Sequence, residues 1–543
     1  MKIMNEKSKI KNKKIFHPIL VALFPILIVY SQNVGRVDVE ELILPVILLV
    51  IFAISFYYGL KFVLKNPFKA SIIVTLVLIF LFSYGHVYYL LNDVSIDGFD
   101  IGRNRYLIPA FTIVLGVSLF FIIKSNRIFD NATSIMNVIS IVFLMVAISN
   151  IGFVAAEYAN CENCENQEIF YEGKDFTKFF EPHKFFITDN QKLPDVYYLI
   201  LDEYARNDAL LEYHDFDNSE FKIFLEGKGF HVADDSFTNY PMSIQAIPTV
   251  MNMNYINFLA DEIGSDVRNF EPLIGKDFGL YSNNMVIKNF KEMGYKIITF
   301  NTFALHLHEN PLADQTLCHR AAFLLDNRLF DTFARTTIFG YFVERWAEDE
   351  LRQVTLCTLD EFAKSHQVFD EPTFVWGHVM LPHPPWIFGP NGEKIIPGKP
   401  LLITDNPEFR DSSWEPKRQY IHQVQFANKK TMEIVESILE TNSNSIIIIQ
   451  GDHGTAWDVN WMEPSKDDVW QRLRNFDAIY FPDIEKRDFL SDDRTLINTF
   501  RIVFNAYYDS NYELLENKMY WGWNAKPYHI EEVTNYLQGK QND

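Results

Sequence analysis

Residues that commonly bind metal ions follow three apolar segments of this 543-residue chain. Carboxylates and imidazoles that converge from separate strand ends suit a divalent cation, with Zn²⁺ or Mn²⁺ expected first and Mg²⁺ or Ca²⁺ as alternatives. The alternative for any single carboxylate is a helix cap or a loop residue. The candidates are Asp202 and Glu203 after DVYYLIL, His378 and His383 after FVWG and in LPHP, and Asp452 and His453 after SIIIIQG.

Ser243 is the candidate nucleophile. It lies in the segment YPMSIQAIP, where a helix is predicted to begin. A serine at a helix N-terminus lies near the positive end of the helix dipole, and the backbone N–H groups there can bind an anion. A divalent metal ion beside the hydroxyl would lower its pKa and favour an alkoxide. The alternative role is a simple N-cap, which stabilises a helix by about 1 kcal/mol.

Strands and helices alternate from Leu193 onward. Near-continuous apolar strands separated by helices predict an α/β fold with a mostly parallel sheet that is covered on both faces. Ligands bind beyond the carboxyl ends of the strands in such sheets, which is where the candidate residues lie. The predicted strands are Asp195–Leu201, Lys296–Phe300, Thr373–Val379, Ser445–Gln450 and Asp477–Phe481, and the predicted helices are about 216–228, 284–293, 417–440 and 494–506.

The first 155 or so residues contain five apolar runs, each near the roughly 20 residues that a membrane-spanning helix needs. Lys and Arg are concentrated before the first run and in the loops after the second and fourth, which predicts a cytoplasmic N-terminus. Five spans then place everything after Tyr158 outside the cytoplasm, in a multi-pass protein of the cell (inner) membrane. The runs are about 16–31, 42–60, 70–91, 106–123 and 134–155.

The two ends of the chain differ in charge. Residues 1–159 carry 14 Lys and Arg against 9 Asp and Glu, whereas residues 160–543 carry 35 against 61. The acidic portion excludes nucleic acid as a partner, because phosphate binding requires clustered Lys and Arg. We expect a five-helix transmembrane domain at 1–155, a juxtamembrane linker at 156–192 and an extracytoplasmic catalytic domain at 193–543.

All four cysteines lie in the predicted external part, where oxidising conditions permit disulfides. Cys161 and Cys164 lie in a polar linker, and Cys318 and Cys357 lack the spacing of a second zinc-binding pair. A local disulfide or free thiols are expected in preference to a metal site. The spacing leaves the pairing open.

The order of these motifs resembles the sulfatase-like branch of the alkaline phosphatase superfamily. In particular, the chain resembles membrane-bound phosphoethanolamine transferases and lipoteichoic acid synthases, which also place five N-terminal helices before an external domain. The resemblance covers Leu193 to about Val503 and implies an alkaline-phosphatase-like α/β/α sandwich. It also implies a metal site made by Asp452 and His453, by Ser243 as the metal-bound nucleophile, and by Asp202 or Glu203.

The resemblance leaves several roles open. Alignment on the Ala-Arg that follows favours Glu203 as the first carboxylate, alignment on the strand end favours Asp202, and both acids can contribute. His383 matches a histidine that binds the substrate's phosphate or a second metal, and His378 either joins it or supports a metal ligand. Arg206 would contact a substrate phosphate or pair with an acid.

One departure distinguishes this chain from true sulfatases. Conversion of a sulfatase nucleophile to formylglycine requires Pro two residues and Arg four residues after it. Gln245 and Ile247 stand at those places after Ser243, so conversion is not expected. An unmodified serine that attacks phosphorus and forms a covalent phospho-enzyme is the favoured interpretation.

The leading hypothesis is a metal-dependent transferase that moves a phospho-substituent from a membrane lipid to an envelope glycan or lipid through a phospho-serine intermediate. The anchor holds the site near a lipid surface on a side of the membrane that lacks ATP. The alternatives are a sulfatase-like hydrolase of phosphodiesters or sulfate esters, and a non-catalytic membrane scaffold of envelope polysaccharide synthesis. The sequence leaves the donor head group, the acceptor and the oligomeric state open.

Overall fold

The chain forms two compact units in the computed structural model. The first unit comprises Met1–Cys164 and Ala322–Ala347, and the second comprises Glu165–Ala321 and Glu348–Asp543. Most of the predicted linker 156–192, including Cys161 and Cys164, lies outside the described residues. The structure describes residues 14–34, 37, 39–91, 94–96, 99–159, 176–180, 185, 193–267, 270–275, 279–302, 310–319, 327–395, 416–457, 459–524 and 526–537.

Each strand and helix predicted after Leu193 overlaps an element of the structure, which also has helices and strands that the sequence patterns miss. The α-helices are α1 His17–Ser31, α2 Ile43–Leu64, α3 Pro67–Leu91, α4 Asn104–Lys124, α5 Asp130–Ala159, α6 Asn207–His214, α7 Ser219–Gly227, α8 Ser243–Asn252, α9 Phe258–Ile263, α10 Glu271–Ile274, α11 Met285–Glu292, α12 Arg328–Arg335, α13 Gly340–Glu361, α14 Pro416–Thr441, α15 Lys466–Leu473, α16 Thr499–Tyr508 and α17 Thr534–Leu537. The strands of the second unit are β1 Asp195–Leu201, β2 His231–Val232, β3 Lys296–Phe300, β4 Gln315–Leu317, β5 Thr373–Val379, β6 Ser445–Gly451, β7 Asp477–Tyr480, β8 Tyr520–Trp523 and β9 Lys526–Glu532.

The first unit is built from apolar helices. Among the described residues, four segments are long and apolar enough to cross a membrane: Val39–Leu64, Pro67–Leu91, Asn104–Lys124 and Asp130–Ala156. The predicted count of five spans is not confirmed, because α1 has only 15 residues. A helix of that length extends about 22 Å, less than the roughly 30 Å of a bilayer core.

The first unit also includes the segment 322–347, which the predicted boundaries assign to the catalytic domain at 193–543. Leu329 and Phe333 of α12 are buried together with apolar residues of α1 and α3. Hydropathy along the sequence misses this segment because α12 is short and alternates apolar residues with Arg and Asp.

The second unit is an α/β sandwich around a seven-stranded sheet of order β2-β7-β6-β1-β5-β3-β4. The pairs of β1 with β5 and β6, and of β3 with β5 and β4, are parallel. The pairs β6–β7 and β7–β2 are antiparallel, so the sheet is mostly parallel as the sequence predicts. The sequence patterns miss β2 and β4 because strands of two or three residues show no periodicity.

The central strand β1 contributes to two cores. Val196, Tyr198 and Ile200 pack on one face of the sheet with residues of α8, α11 and α16. Tyr197 and Leu201 pack on the other face with residues of α6, α7 and α14. Both faces of the sheet are therefore covered by helices, which is the α/β/α arrangement that the resemblance implies.

One disulfide lies in the second unit. Cys318, just after β4, is bonded to Cys357 of α13, with 2.03 Å between the two sulfur atoms. The sequence left the pairing open, and the structure joins Cys318 to Cys357, which are 39 residues apart. Neither Cys318 nor Cys357 is available for a zinc site.

Candidate metal centre and nucleophile

Two carboxylates meet at the carboxyl edge of the sheet. Strands β1 and β6 are paired in parallel through their last residues, so Asp202 and Asp452 both follow the final pair. Asp452 Oδ1 accepts hydrogen bonds from the backbone N–H groups of Glu203, at 3.1 Å, and His453, at 3.0 Å. These bonds fix the orientation of the Asp452 carboxylate.

A histidine of β5 completes a buried cluster. His378 Nε2 lies 3.2 Å from Asp202 Oδ2, and ligand atoms of Asp202, His378 and Asp452 all lie within 4.8 Å of one another. Burial alone would raise the pKa of Asp202. The charge of His383 and the hydrogen bond from His378 outweigh burial and lower that pKa to about 2. Asp202 is therefore a carboxylate at neutral pH.

Ser243 is the first residue of α8, as the sequence predicts, and its hydroxyl faces the metal-binding motif. Its Oγ lies 3.0 Å from His453 Nε2, and the N-cap position of the helix is taken by Met242. Ser243 is half-buried, whereas the following residues of α8 are buried. The hydroxyl is thus held at the exposed end of an otherwise buried helix.

The neighbours of His453 define its tautomer. Its Nε2 lies 3.1 Å from Nη2 of Arg472, and a guanidinium can only donate hydrogen bonds. Nε2 therefore accepts, and the ring proton is on Nδ1, which donates to the carbonyl of Gly454 at 3.1 Å. A neutral histidine anchored by a backbone carbonyl is the form that binds metal ions, and a metal bound at Nε2 would replace the hydrogen bond from Arg472.

The glycine of the Asp-His-Gly motif is required by close backbone packing. A Cβ atom on Gly454 would lie 2.5 Å from the carbonyl oxygen of Gln471 and 2.7 Å from that of Arg474. Gly454 N–H also donates to the carbonyl of Arg472 at 2.7 Å. The loop that carries Asp452 and His453 is therefore packed directly against the end of α15.

The residues present fit a divalent cation. Asp202 Oδ1 and Asp452 Oδ2 are buried and make no hydrogen bond to any described residue. These two oxygens lie 3.7 and 3.4 Å from His453 Nε2. Unneutralised buried carboxylates this close together are costly, and a divalent ion would compensate them. Two carboxylates, an imidazole and the adjacent Ser243 hydroxyl form a donor set suited to Zn²⁺ or Mn²⁺.

No protein-family model matches the sequence, and no curated protein sequence matches it either. The chain is similar to the zinc complex of the C-terminal periplasmic domain of EptC from Escherichia coli, with 12% identity, a TM-score of 0.42, and coverage of 67% of this chain and 98% of that one.

Two other solved structures match over different lengths. The integral membrane protein lipooligosaccharide phosphoethanolamine transferase A from Neisseria meningitidis has 10% identity and a TM-score of 0.36, with 90% of this chain and 95% of that one covered. A phosphonate monoester hydrolase of Agrobacterium radiobacter has 12% identity and a TM-score of 0.38, with 61% and 80% covered.

Glu203 and His383 lie beside the Asp202–Asp452 pair. Glu203 has a left-handed backbone conformation, with φ of 63°, which turns the chain sharply at the end of β1. Its Oε1 accepts a hydrogen bond from Ala456 N–H at 3.3 Å, and its Oε2 lies 3.9 Å from His383 Nε2. Both consecutive acids thus face the site, with Asp202 nearer to His378 and Glu203 nearer to His383.

Arg206 makes an ion pair. Its Nε and Nη2 donate to the two oxygens of Asp208 at 2.7 and 2.8 Å, and its Nη1 donates to the carbonyl of Ser236 at 3.0 Å. Of the two roles that the sequence left open, pairing with an acid is the one that this geometry shows. Contact with a substrate phosphate stays a prediction.

Arg472 is the residue that sequence reasoning missed. Its side chain is fully buried. Its Nε donates to the carbonyl of Pro241 at 2.6 Å, and its Nη1 donates to that of Gly454 at 2.9 Å. It therefore joins the loop before Ser243 to the loop after β6. In the sequence, Arg472 resembles an ordinary charged residue of a polar helix. The one signal of its location is that it shortly precedes β7, the strand that pairs with β6.

Proposed function

We propose that this chain is a metal-dependent, membrane-bound transferase that moves a phospho-substituent from a membrane lipid to an envelope glycan or lipid. The observation that carries the proposal is the 3.0 Å contact between Ser243 Oγ and His453 Nε2. It places a hydroxyl at a helix N-terminus beside two buried carboxylates. This arrangement suits a nucleophile that is activated by a metal and that becomes covalently phosphorylated.

The residues that would hold the metal are Asp202, Asp452, His453 and Ser243, with Glu203 adjacent. A divalent ion bound by them lowers the pKa of the serine hydroxyl and neutralises charge on the phosphoryl oxygens. His453 keeps its ring proton on Nδ1 through Gly454, so that its Nε2 lone pair faces the nucleophile.

The first half of the proposed reaction transfers the substituent to the enzyme. Ser243 loses its proton, its Oγ forms a bond to phosphorus, and the bond between phosphorus and the lipid oxygen breaks. The lipid alcohol leaves with a proton. Ser243 is the first residue of α8, so the positive end of the helix dipole would stabilise the charge of the transferred phosphoryl group.

The second half regenerates the serine. A hydroxyl of the acceptor attacks the phosphorus of the phospho-serine and loses its proton, and Ser243 Oγ regains one as its bond to phosphorus breaks. His383 is the candidate for contacting the phosphate, because its Nδ1 donates to the carbonyl of Pro384 at 2.6 Å and its Nε2 faces the site. If water replaces the acceptor, the same residues make the enzyme a phosphodiesterase.

A lipid donor is supported by the membrane-spanning helices of the first unit. They tether the catalytic unit to a membrane. In the predicted orientation that unit lies away from the cytoplasm and its ATP. A phospholipid head group is then the available donor of a phospho-substituent.

The test is capture of the phospho-enzyme on full-length protein with phosphatidylethanolamine and phosphatidylglycerol labelled in the head group. We expect head-group label on the peptide that contains Ser243, and none on Ser243→Ala. Ser510→Ala is the matched control, because Ser510 is a buried, hydrogen-bonded serine of the same unit. Label transfer by Ser243→Ala at the wild-type rate would overturn the mechanism, and formylglycine at position 243 would establish a sulfatase instead.

A further inference from the structure

The segment 327–347 leaves the second unit and packs against the apolar helices of the first. Cys318 and Cys357 lie before and after this segment in the chain. Both belong to the second unit and are joined by a disulfide. Within the first unit, Phe333 of α12 packs its ring 5.4 Å from that of Phe82 of α3. The start of α12 is also fixed, because Asn327 Nδ2 donates to the carbonyl of Glu41 at 2.9 Å.

Two backbone hydrogen bonds connect this segment to the interior of α3. Gly85 N–H donates to the carbonyl of Thr336 at 3.1 Å, and Ile338 N–H donates to the carbonyl of Leu81 at 3.0 Å. The two groups of α3 would otherwise bond to each other in the helix. A Cβ atom on Gly85 would lie 2.4 Å from the Thr336 oxygen, so only glycine permits this approach.

The anchoring point lies within the predicted span and not beyond its end. Gly85 is six residues before the C-terminal residue of α3, Leu91, which corresponds to about 9 Å along the helix axis. Tyr84, Tyr88 and Tyr89 surround this level of α3. Tyrosines concentrate where a membrane-spanning helix passes through the lipid–water interface.

An exposed apolar stripe begins directly after Ile338, the last residue that is hydrogen-bonded to α3 in this way. Phe339 directly precedes α13, and Phe342 and Trp346 lie in its first turns. The intervals of three and four residues place the three side chains on one face. Their exposed fractions are 52%, 62% and 47%. Ile113 and Phe120 of the apolar helix α4 are exposed to a similar degree, at 66% and 57%.

We propose that Phe339, Phe342 and Trp346 form a lipid-contact surface that inserts into the bilayer leaflet at the C-terminal end of α3. That leaflet is the outer one in the predicted orientation. The occupant is lipid because the stripe continues the apolar surface of the spanning helices at the depth of Gly85. The opposite face of this part of α13 is buried through Val343 and Ala347, so the aromatic residues form its exposed face. Aromatic side chains on an exposed apolar helix face are typical of segments that lie in the interface.

The first test is photo-crosslinking of the full-length chain in vesicles of phosphatidylethanolamine and phosphatidylglycerol. A benzophenone amino acid replaces Phe342, with replacement of Ile113 as the lipid-facing reference and of Phe489, an exposed aromatic residue of the second unit, as the matched control. We expect a lipid adduct at position 342 within about threefold of that at 113 and well above that at 489. Adducts to protein instead of lipid, or a yield no higher than at 489, would overturn the proposal.

The second test uses the glycine anchor. Gly85→Ala places a methyl group against the Thr336 carbonyl and should reduce the lipid adduct at position 342 several-fold. Gly116→Ala in α4 is the control, because a Cβ there meets no atom within 4 Å. Equal adduct yields in the two variants, both checked for correct assembly by size exclusion, would show that the Gly85 contact does not position the stripe.

Discussion

Ser243 Oγ and His453 Nε2 lie 3.0 Å apart although 210 residues separate them in the sequence. The contact joins the first turn of α8 to the loop that follows β6. The same histidine is oriented by Gly454 and by the buried Arg472. The position of the nucleophile and the shape of the metal site are therefore set by one group of contacts, and a change in one should be detected in the other.

Metal binding should stabilise the second unit. A ligand that binds only the folded state at 100 times its dissociation constant adds about 2.7 kcal/mol. We expect added Zn²⁺ or Mn²⁺ to raise the Tm of metal-stripped wild type but not that of Asp452→Asn. Asp195→Asn is the control, because Asp195 begins β1 at the opposite edge of the sheet. A rise in Asp452→Asn equal to that in wild type would remove Asp452 from the metal site.

Arg472 is predicted to position the nucleophile and the metal loop together. Arg472→Lys keeps the charge but loses the planar fork that reaches Pro241 and Gly454, so we expect kcat to fall about 10- to 100-fold with a smaller change in KM. Metal affinity, measured by titration and independent of turnover, should fall as well.

The control for this prediction is Arg474→Lys. Arg474 is also buried, but it pairs with Asp208 and Glu212 and makes no contact with His453. It should lose stability without a change in metal affinity. If Arg472→Lys and Arg474→Lys lose Tm equally and both keep wild-type kcat and metal affinity, the role of Arg472 is structural only.

Much of the site could be predicted because its residues directly follow strands with clear patterns. The predicted bounds of β1, β3 and β5 are those of the structure, and parallel pairing then brings Asp202 and Asp452 to one edge. The burial of His378 also follows, since it lies within β5.

The missed features depend on tertiary contacts that leave no periodic signal. Arg472 is buried by loops that come from three parts of the chain, and no local pattern distinguishes it from a surface arginine. The return of α12 to the first unit depends on Leu329 and Phe333, two apolar residues one helical turn apart in a charged helix. Hydropathy averaged over a window cannot detect a contact of that size.

Asp208 should make stability depend on pH. Burial alone would raise its pKa, but the hydrogen bonds and charges of Arg206 and Arg474 lower it to about 2. Because the pKa of the folded state is below the ordinary value of 3.8, the stabilisation is complete above about pH 4 and is lost as the pH falls towards 2. Asp208→Asn should therefore cost about 1 kcal/mol at pH 7, after allowance for solvent screening of a half-exposed carboxylate, and almost nothing near pH 2.

Thermal unfolding between pH 7 and pH 2 measures this difference. The control is Glu220→Gln, which replaces an exposed acid at the start of α7. The difference in Tm between this variant and wild type should stay constant over the same pH range. A constant difference between Asp208→Asn and wild type over the whole range would contradict the assignment of the pKa shift to the two arginines.

The disulfide should stabilise the second unit by limiting its unfolded state. Cys318 and Cys357 are 39 residues apart, and a closed loop of that length contributes about 4 kcal/mol in the chain-entropy model. The double variant Cys318→Ser, Cys357→Ser should lose up to that amount in denaturant unfolding, and reduced wild type should match it. The anchor at Gly85 belongs to the first unit and does not involve either cysteine, so the lipid adduct at position 342 should persist in the folded double variant. Unfolding midpoints that are the same for the double variant and oxidised wild type would show that the loop is already constrained by its packing in both states.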